Sequence, residues 1–184
     1  MKPVRIIPRL DIKGPNLVKG IHLEGLRVLG RPSDYAKNYY EDGADELLFM
    51  DIVASLYERN SLHDIISATA KRIHIPIAVG GGIRTLEDIR SILRVGADKV
   101  IINTAATKDP NFIKRAAREF GSSTIVLSIE AIKNKEGQYF SFIDNGREPT
   151  GLEVKEWAMR AEDLGCGEII ITSVDREGTG KGFD

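Results

Sequence analysis

The chain has 184 residues, 42% of them hydrophobic and 29% charged, which suits a globular unit with a core to bury and argues against disorder. Lysine and arginine number 26 against 27 for aspartate and glutamate, so no net field draws the whole chain onto nucleic acid or an anionic membrane; any anion site has to be local. Cys166 is the single cysteine, which excludes an internal disulfide and a cysteine-based zinc cluster. The opening MKPVRIIPRLDIKG has neither a signal-peptide core nor a membrane span, so the expected location is cytoplasmic.

In chain order, an apolar, β-branched run predicts a first strand over Val4–Leu10. The glycine-punctuated stretch Gly14–Gly30, which carries Lys19, reads as a loop long enough to serve as a lid. Pro32 opens a helix that runs to Asp42 and is followed by a strand at Glu46–Asp51, a helix at Leu62–Arg72 and a strand at Ile75–Val79. Thr85 caps a helix that extends to Val95, with Glu87 and Asp88 in its first turn. A strand at Lys99–Ile102, a helix at Pro110–Phe120 and a strand at Thr124–Ile129 come next. The polar segment Lys133–Pro149 holds a hairpin signal, Gln138–Ile143 followed by Asn145-Gly146, before a helix at Leu152–Leu164 and a strand at Glu168–Thr172. Gly43, Gly96, Gly121 and Gly165 each follow a helix where a left-handed cap is needed.

Short strands alternating with amphipathic helices predict parallel βα units, and hence an α/β fold of the (β/α) TIM-barrel type with about six of its eight units present. A doubly wound open sheet is the alternative. An internal echo favours the barrel: EDGADELLFMDI matches EDLGCGEIIITSVD, and IPRLDIK around Asp11 matches VLSIEAIK around Glu130. The chain is therefore expected to be a single incomplete barrel domain over residues 1–184, with a first half at about 1–121 and part of a second at about 122–184.

Three sets of residues could carry chemistry. Val79-Gly80-Gly81-Gly82-Ile83-Arg84 joins a strand to a capped helix, where backbone N–H groups can approach a phosphate; a tight βα turn is the plainer reading. Asn103 and Thr104 end the next strand and would line the same mouth. Asp11 and Glu130, at the ends of the first and fifth strands, would face each other across a closed barrel and could divide acid and base roles, or each could simply cap a neighbour. Asp51 and Asp175 also stand at strand ends. Arg5, Glu46, Lys99 and Glu168 lie at strand beginnings, where paired charges usually serve stability. His22, His63 and His74 have no metal-like spacing, and Cys166 reads as a packing residue; neither metal nor cofactor is expected.

IIPRLDIK, LVKG, GADELLFMDI, VGGGIR, GADKVIINTAA, GREPTGL and GEIIITSVDREGT, in this order, resemble the cyclase subunits of imidazole glycerol phosphate synthase. The resemblance spans the chain. It implies a lyase of histidine biosynthesis that takes ammonia from a glutaminase partner and converts a bis-phosphorylated ribonucleotide to imidazole glycerol phosphate and an aminoimidazole carboxamide ribotide. It places the catalytic pair on Asp11 and Glu130 and the mobile loop on Lys19. Phosphate binding falls to Gly81, Gly82, Asn103 and Thr104, and a substrate contact to Asp175. Arg5, Glu46, Lys99 and Glu168 match the charged gate for ammonia, and Asp98 the glutaminase-facing side. This sequence departs from the family at Arg9, where cysteine is usual, at Glu130, where aspartate is usual, and in lacking the seventh and eighth strands. Two open sheet edges are then expected, with self-association through them. A paralogue that delivers ammonia to another phosphorylated or nucleotide-sugar acceptor, and a non-catalytic phosphate-binding partial barrel, are the alternatives.

Overall fold

The computed structural model describes residues 4–53 and 59–184. By contact density the chain divides into two compact units, one made of Met1–Val18 with Arg27–Val100 and the other of Lys19–Leu26 with Ile101–Asp184.

In the first unit, strands β1 (Arg9–Lys13), β4 (Leu47–Asp51), β5 (Ile77–Gly80) and the start of β6 (Lys99–Ile102) lie side by side in that order. β1 with β4 and β4 with β5 are parallel, as βα connections require. Helices α1 (Pro32–Glu41), α2 (Arg59–Ala70) and α3 (Leu86–Arg94) supply the crossovers. Leu10, Ile12, Leu47, Phe49, Ile77 and Val79 alternate onto one strand face and are buried there, along with Ala36, Ile66 and Ile89 from the helices. α3 is pinned by a reciprocal cap: the Asp88 amide donates to Thr85 Oγ1 at 3.1 Å, and the Thr85 amide donates to Asp88 Oδ2 at 2.9 Å.

In the second unit, β7 (Ile125–Lys133) pairs in parallel with β10 (Glu168–Ser173) and antiparallel with β8 (Tyr139–Ile143), and β8 pairs antiparallel with β9 (Glu148–Glu153). Helices α4 (Thr104–Lys108), α5 (Asn111–Phe120) and α6 (Val154–Asp163) complete it, with Phe112, Ile113 and Trp157 buried. The Asn145-Gly146 signal is a type I′ turn. Both residues have positive φ, 58° and 78°, and the Arg147 amide donates to the Asp144 carbonyl at 3.3 Å.

Three local expectations change. The first strand begins at Arg9, not Val4: Pro8 lacks the N–H that would carry the ladder backwards, and Val4 is 90% exposed. Gly14–Gly30 is not a plain loop but holds two strands, β2 (Asn16–Ile21) and β3 (Glu24–Gly30). α4, five residues long, is too short to show a helical period in sequence.

Candidate functional site

Neither carboxylate ends its strand. β1 runs two residues beyond Asp11, and β7 three beyond Glu130, because both strands continue into antiparallel partners: Asp11 sits opposite Val18 of β2, and Glu130 opposite Phe142 of β8. On the parallel side, Asp11 pairs with Met50 and Glu130 with Thr172. The two units thus give their carboxylates the same station, flanked by one parallel strand and one hairpin.

Their immediate anchors differ. Arg9 Nε donates to Asp11 Oδ1 at 2.7 Å, and the Asp11 side chain is only 4% exposed. Glu130 accepts from two amide groups: Asn103 Nδ2 donates to Oε1 at 3.1 Å, and the Gly146 amide donates to Oε2 at 2.7 Å. Asn103 Oδ1 is buried and has no hydrogen-bond partner among the described residues. Thr104 is exposed and opens α4.

Gly80 ends β5, and Gly81 and Gly82 continue with φ of 108° and 65°. A Cβ on Gly81 would lie 2.3 Å from the Asp51 carbonyl oxygen, so the plain reading of this glycine, close approach of β4 and β5, has a definite steric cause. Asp88 Oδ2 accepts the amides of Arg84 and Thr85, which fixes the end of this turn against α3. Asp51 Oδ1 accepts the Val53 amide at 3.1 Å.

Lys19 pairs with Glu177, a residue in the turn after β10. The same turn holds the rest of the hairpin tip: the Leu23 amide donates to Glu177 Oε2 at 3.0 Å, the His22 amide to the Glu177 carbonyl at 2.9 Å, and His22 Nδ1 lies 2.8 Å from the Val174 carbonyl. His22 and Leu23 turn the chain with φ of 53° and 63°. Asp175 is exposed, and its Oδ2 accepts the Lys133 amide at 3.1 Å.

At the beginnings of the strands, Glu46 Oε2 accepts from both Arg5 Nη1 and Lys99 Nζ at 2.9 Å, and Glu46 is 2% exposed. Glu168 opens β10 in the second unit. Asp98 is exposed, with its Oδ2 accepting the Ile77 amide at 2.9 Å. Among the described residues no group of three or more His, Cys, Asp or Glu could hold a metal ion, and no helix is long and apolar enough to cross a membrane. Burial pushes the Cys166 thiol up, against hydrogen bonding that pulls it down.

The family described as "Histidine biosynthesis protein" matches residues 5–184. The chain belongs to this family. Among curated relatives, the imidazole glycerol phosphate synthase subunit HisF of Legionella pneumophila is 59% identical over 184 residues, covering 100% of this chain and 87% of the relative. The subunit of the same name from Alkaliphilus metalliredigens (strain QYMF) is 46% identical over 180 residues, covering 98% of this chain and 71% of the relative. The TIM-barrel-type α/β class and the role of cyclase subunit in histidine biosynthesis, both implied by the motifs, therefore stand.

Within this histidine-biosynthesis chain, sequence reasoning missed two contacts. Gly146 as an anchor of Glu130 carries no side-chain signal, because only its amide is used. Glu177, the acceptor for Lys19, sits in plain view in the Asp-Arg-Glu-Gly-Thr run but 158 residues from its partner. Arg9 was visible as a departure from the family; its ion pair with Asp11 follows from their spacing, since residues two apart on a strand share a face.

Proposed function

We propose that this cyclase-type chain uses ammonia, delivered by a glutaminase subunit, to convert a bis-phosphorylated ribonucleotide into imidazole glycerol phosphate and the aminoimidazole carboxamide ribotide, with Asp11 and Glu130 as its acid and base. The observation that carries this reading is the repeated station of the two carboxylates, each two or three residues short of a strand end and each anchored at a carboxylate oxygen. A carboxylate held in one orientation is what proton transfer to or from a reacting group requires. This reading assigns one substrate phosphate to Gly81, Gly82, Asn103 and Thr104, a substrate contact to Asp175, and the mobile loop to Lys19.

The Glu46 cluster supports ammonia entry at the opposite strand ends. The buried Glu46 carboxylate is shared by Arg5 and Lys99; this reading also assigns Glu168 to the gate and Asp98 to the glutaminase side. The test is isotopic. In the complex with the glutaminase, nitrogen-15 from the glutamine side-chain amide is expected in imidazole glycerol phosphate even when unlabelled ammonium salt is present; Lys99→Met is expected to let the unlabelled pool compete. Complete dilution of the label in the unsubstituted complex contradicts the gate.

Self-association through an open edge belongs to the same reading. Among the described residues β10 pairs with β7 alone, and Ile171 on it is 58% exposed. Light scattering against concentration checks it.

One observation favours a second acceptor, another phosphorylated or nucleotide-sugar compound: the Arg9 guanidinium beside Asp11 changes the charge next to the first catalytic acid. Turnover of such a compound with no turnover of the ribonucleotide would move the assignment there.

A further inference from the structure

Arg9 is a charged residue at a step of β1 where the packing does not call for one. Arg9 and Asp11 share a strand face, while Leu10 and Ile12, each 1% exposed, take the other. The parallel register carries the Arg9 face across the neighbouring strands: Arg9 pairs with Leu48 and Asp11 with Met50, and Leu48 pairs with Ala78 and Met50 with Gly80. Glu46, with Arg5 and Lys99 bound to it, lies one alternation before Leu48. Arg9 thus occupies the step between the Glu46 cluster and Asp11. In the second unit the position two residues before Glu130 is Ser128, 3% exposed and paired with Ile170. A small neutral side chain fills the equivalent step there.

A carboxylate as buried as Asp11 is costly to leave uncompensated, and a guanidinium holds a carboxylate in a defined plane. We propose that Arg9 is a positioning residue for the cyclase reaction, fixing the orientation of the Asp11 carboxylate and balancing its charge. The inference rests on the catalytic reading of Asp11 given above and deepens it.

Arg9→Met removes the donor and keeps most of the stem; Arg9→Lys keeps the cation. With ammonium salt and the bis-phosphorylated ribonucleotide, Arg9→Met is expected to lower kcat about 10- to 100-fold, as roughly 1 Å of misplacement does, while KM for the ribonucleotide stays within about twofold. Arg9→Lys is expected to recover most of the loss. A second readout needs no turnover: the carboxyl carbon-13 resonance of Asp11, assigned by its absence in Asp11→Asn, is expected to move in Arg9→Met and to stay near its place in Arg9→Lys. An unmoved resonance together with unchanged kcat in Arg9→Met overturns the proposal, as does a raised KM at constant kcat, which would make Arg9 a substrate-binding residue. Absence of turnover by the unsubstituted chain counts against the catalytic reading of Asp11 alone, and the resonance then decides whether Arg9 holds it. Where Arg9→Met does not fold, Arg9→Gln takes its place under the same criteria.

Discussion

Glu130 shows how a single side chain is tuned by what touches it. Its two oxygens accept from the Asn103 side-chain amide and from the Gly146 backbone amide, which hold the carboxylate in one plane. Glu130→Gln keeps the shape and loses the proton-accepting oxygen, and ammonia-driven turnover is expected to fall at least about 100-fold, the scale of a lost acid or base, with little change in melting temperature. A variant within a few fold of the unsubstituted rate would remove Glu130 from the chemistry. Cys166 is tuned in the other direction. Burial, the larger effect, holds its thiol above the ordinary range, so unfolding releases a proton once the pH passes the thiol's ordinary value. That contribution to stability is complete below the unfolded thiol's pKa and lost as the pH rises through the folded one. Alkylation of the native chain at pH 8 is accordingly expected to be much slower than alkylation in denaturant, and equal rates would contradict the burial.

At the scale of elements, the junctions are where residue type has the sharpest consequence. Thr85→Ala breaks the reciprocal cap of α3 and is expected to cost about 1 kcal/mol in urea unfolding, with an unchanged m-value. Gly81→Ala meets both a positive φ and the Asp51 carbonyl, so its cost is expected to be greater, roughly 1–3 kcal/mol from backbone strain before any adjustment of β4. The hairpin tip offers a different test. Glu177→Ala removes the acceptor of Lys19 and of the Leu23 amide, and limited proteolysis is expected to cut residues 19–26 faster; an unchanged rate would show that the backbone bonds of His22 suffice. Sequence patterns located the six parallel strands and the long helices, because apolar spacing and glycine caps record which face is buried. They missed β2 and β3, whose connecting residues His22 and Leu23 lack the usual turn chemistry and hold positive φ through contacts with residues 174 and 177. Long-range bonds of that kind leave no local trace.

Across the whole molecule, the internal echo read from IPRLDIK and VLSIEAIK is reproduced in the register of each unit. Glu46 stands four residues before Met50, the partner of Asp11; Glu168 stands four before Thr172, the partner of Glu130. Carboxylate and strand-start glutamate therefore repeat together, which explains why motif order alone pointed to both a reaction end and an entry end. What the repeat does not share, Arg9 against Ser128 and the separate anchors of the two carboxylates, could be located in sequence but not interpreted there, since its meaning lies in side-chain contacts. The most direct test of the account is ammonia-driven turnover of the bis-phosphorylated ribonucleotide by this chain, with and without Asp11→Asn. The expected result is formation of imidazole glycerol phosphate and the carboxamide ribotide in equal amounts, reduced at least about 100-fold by Asp11→Asn. No product from the folded, unsubstituted chain, or a rate indifferent to Asp11→Asn, would contradict it.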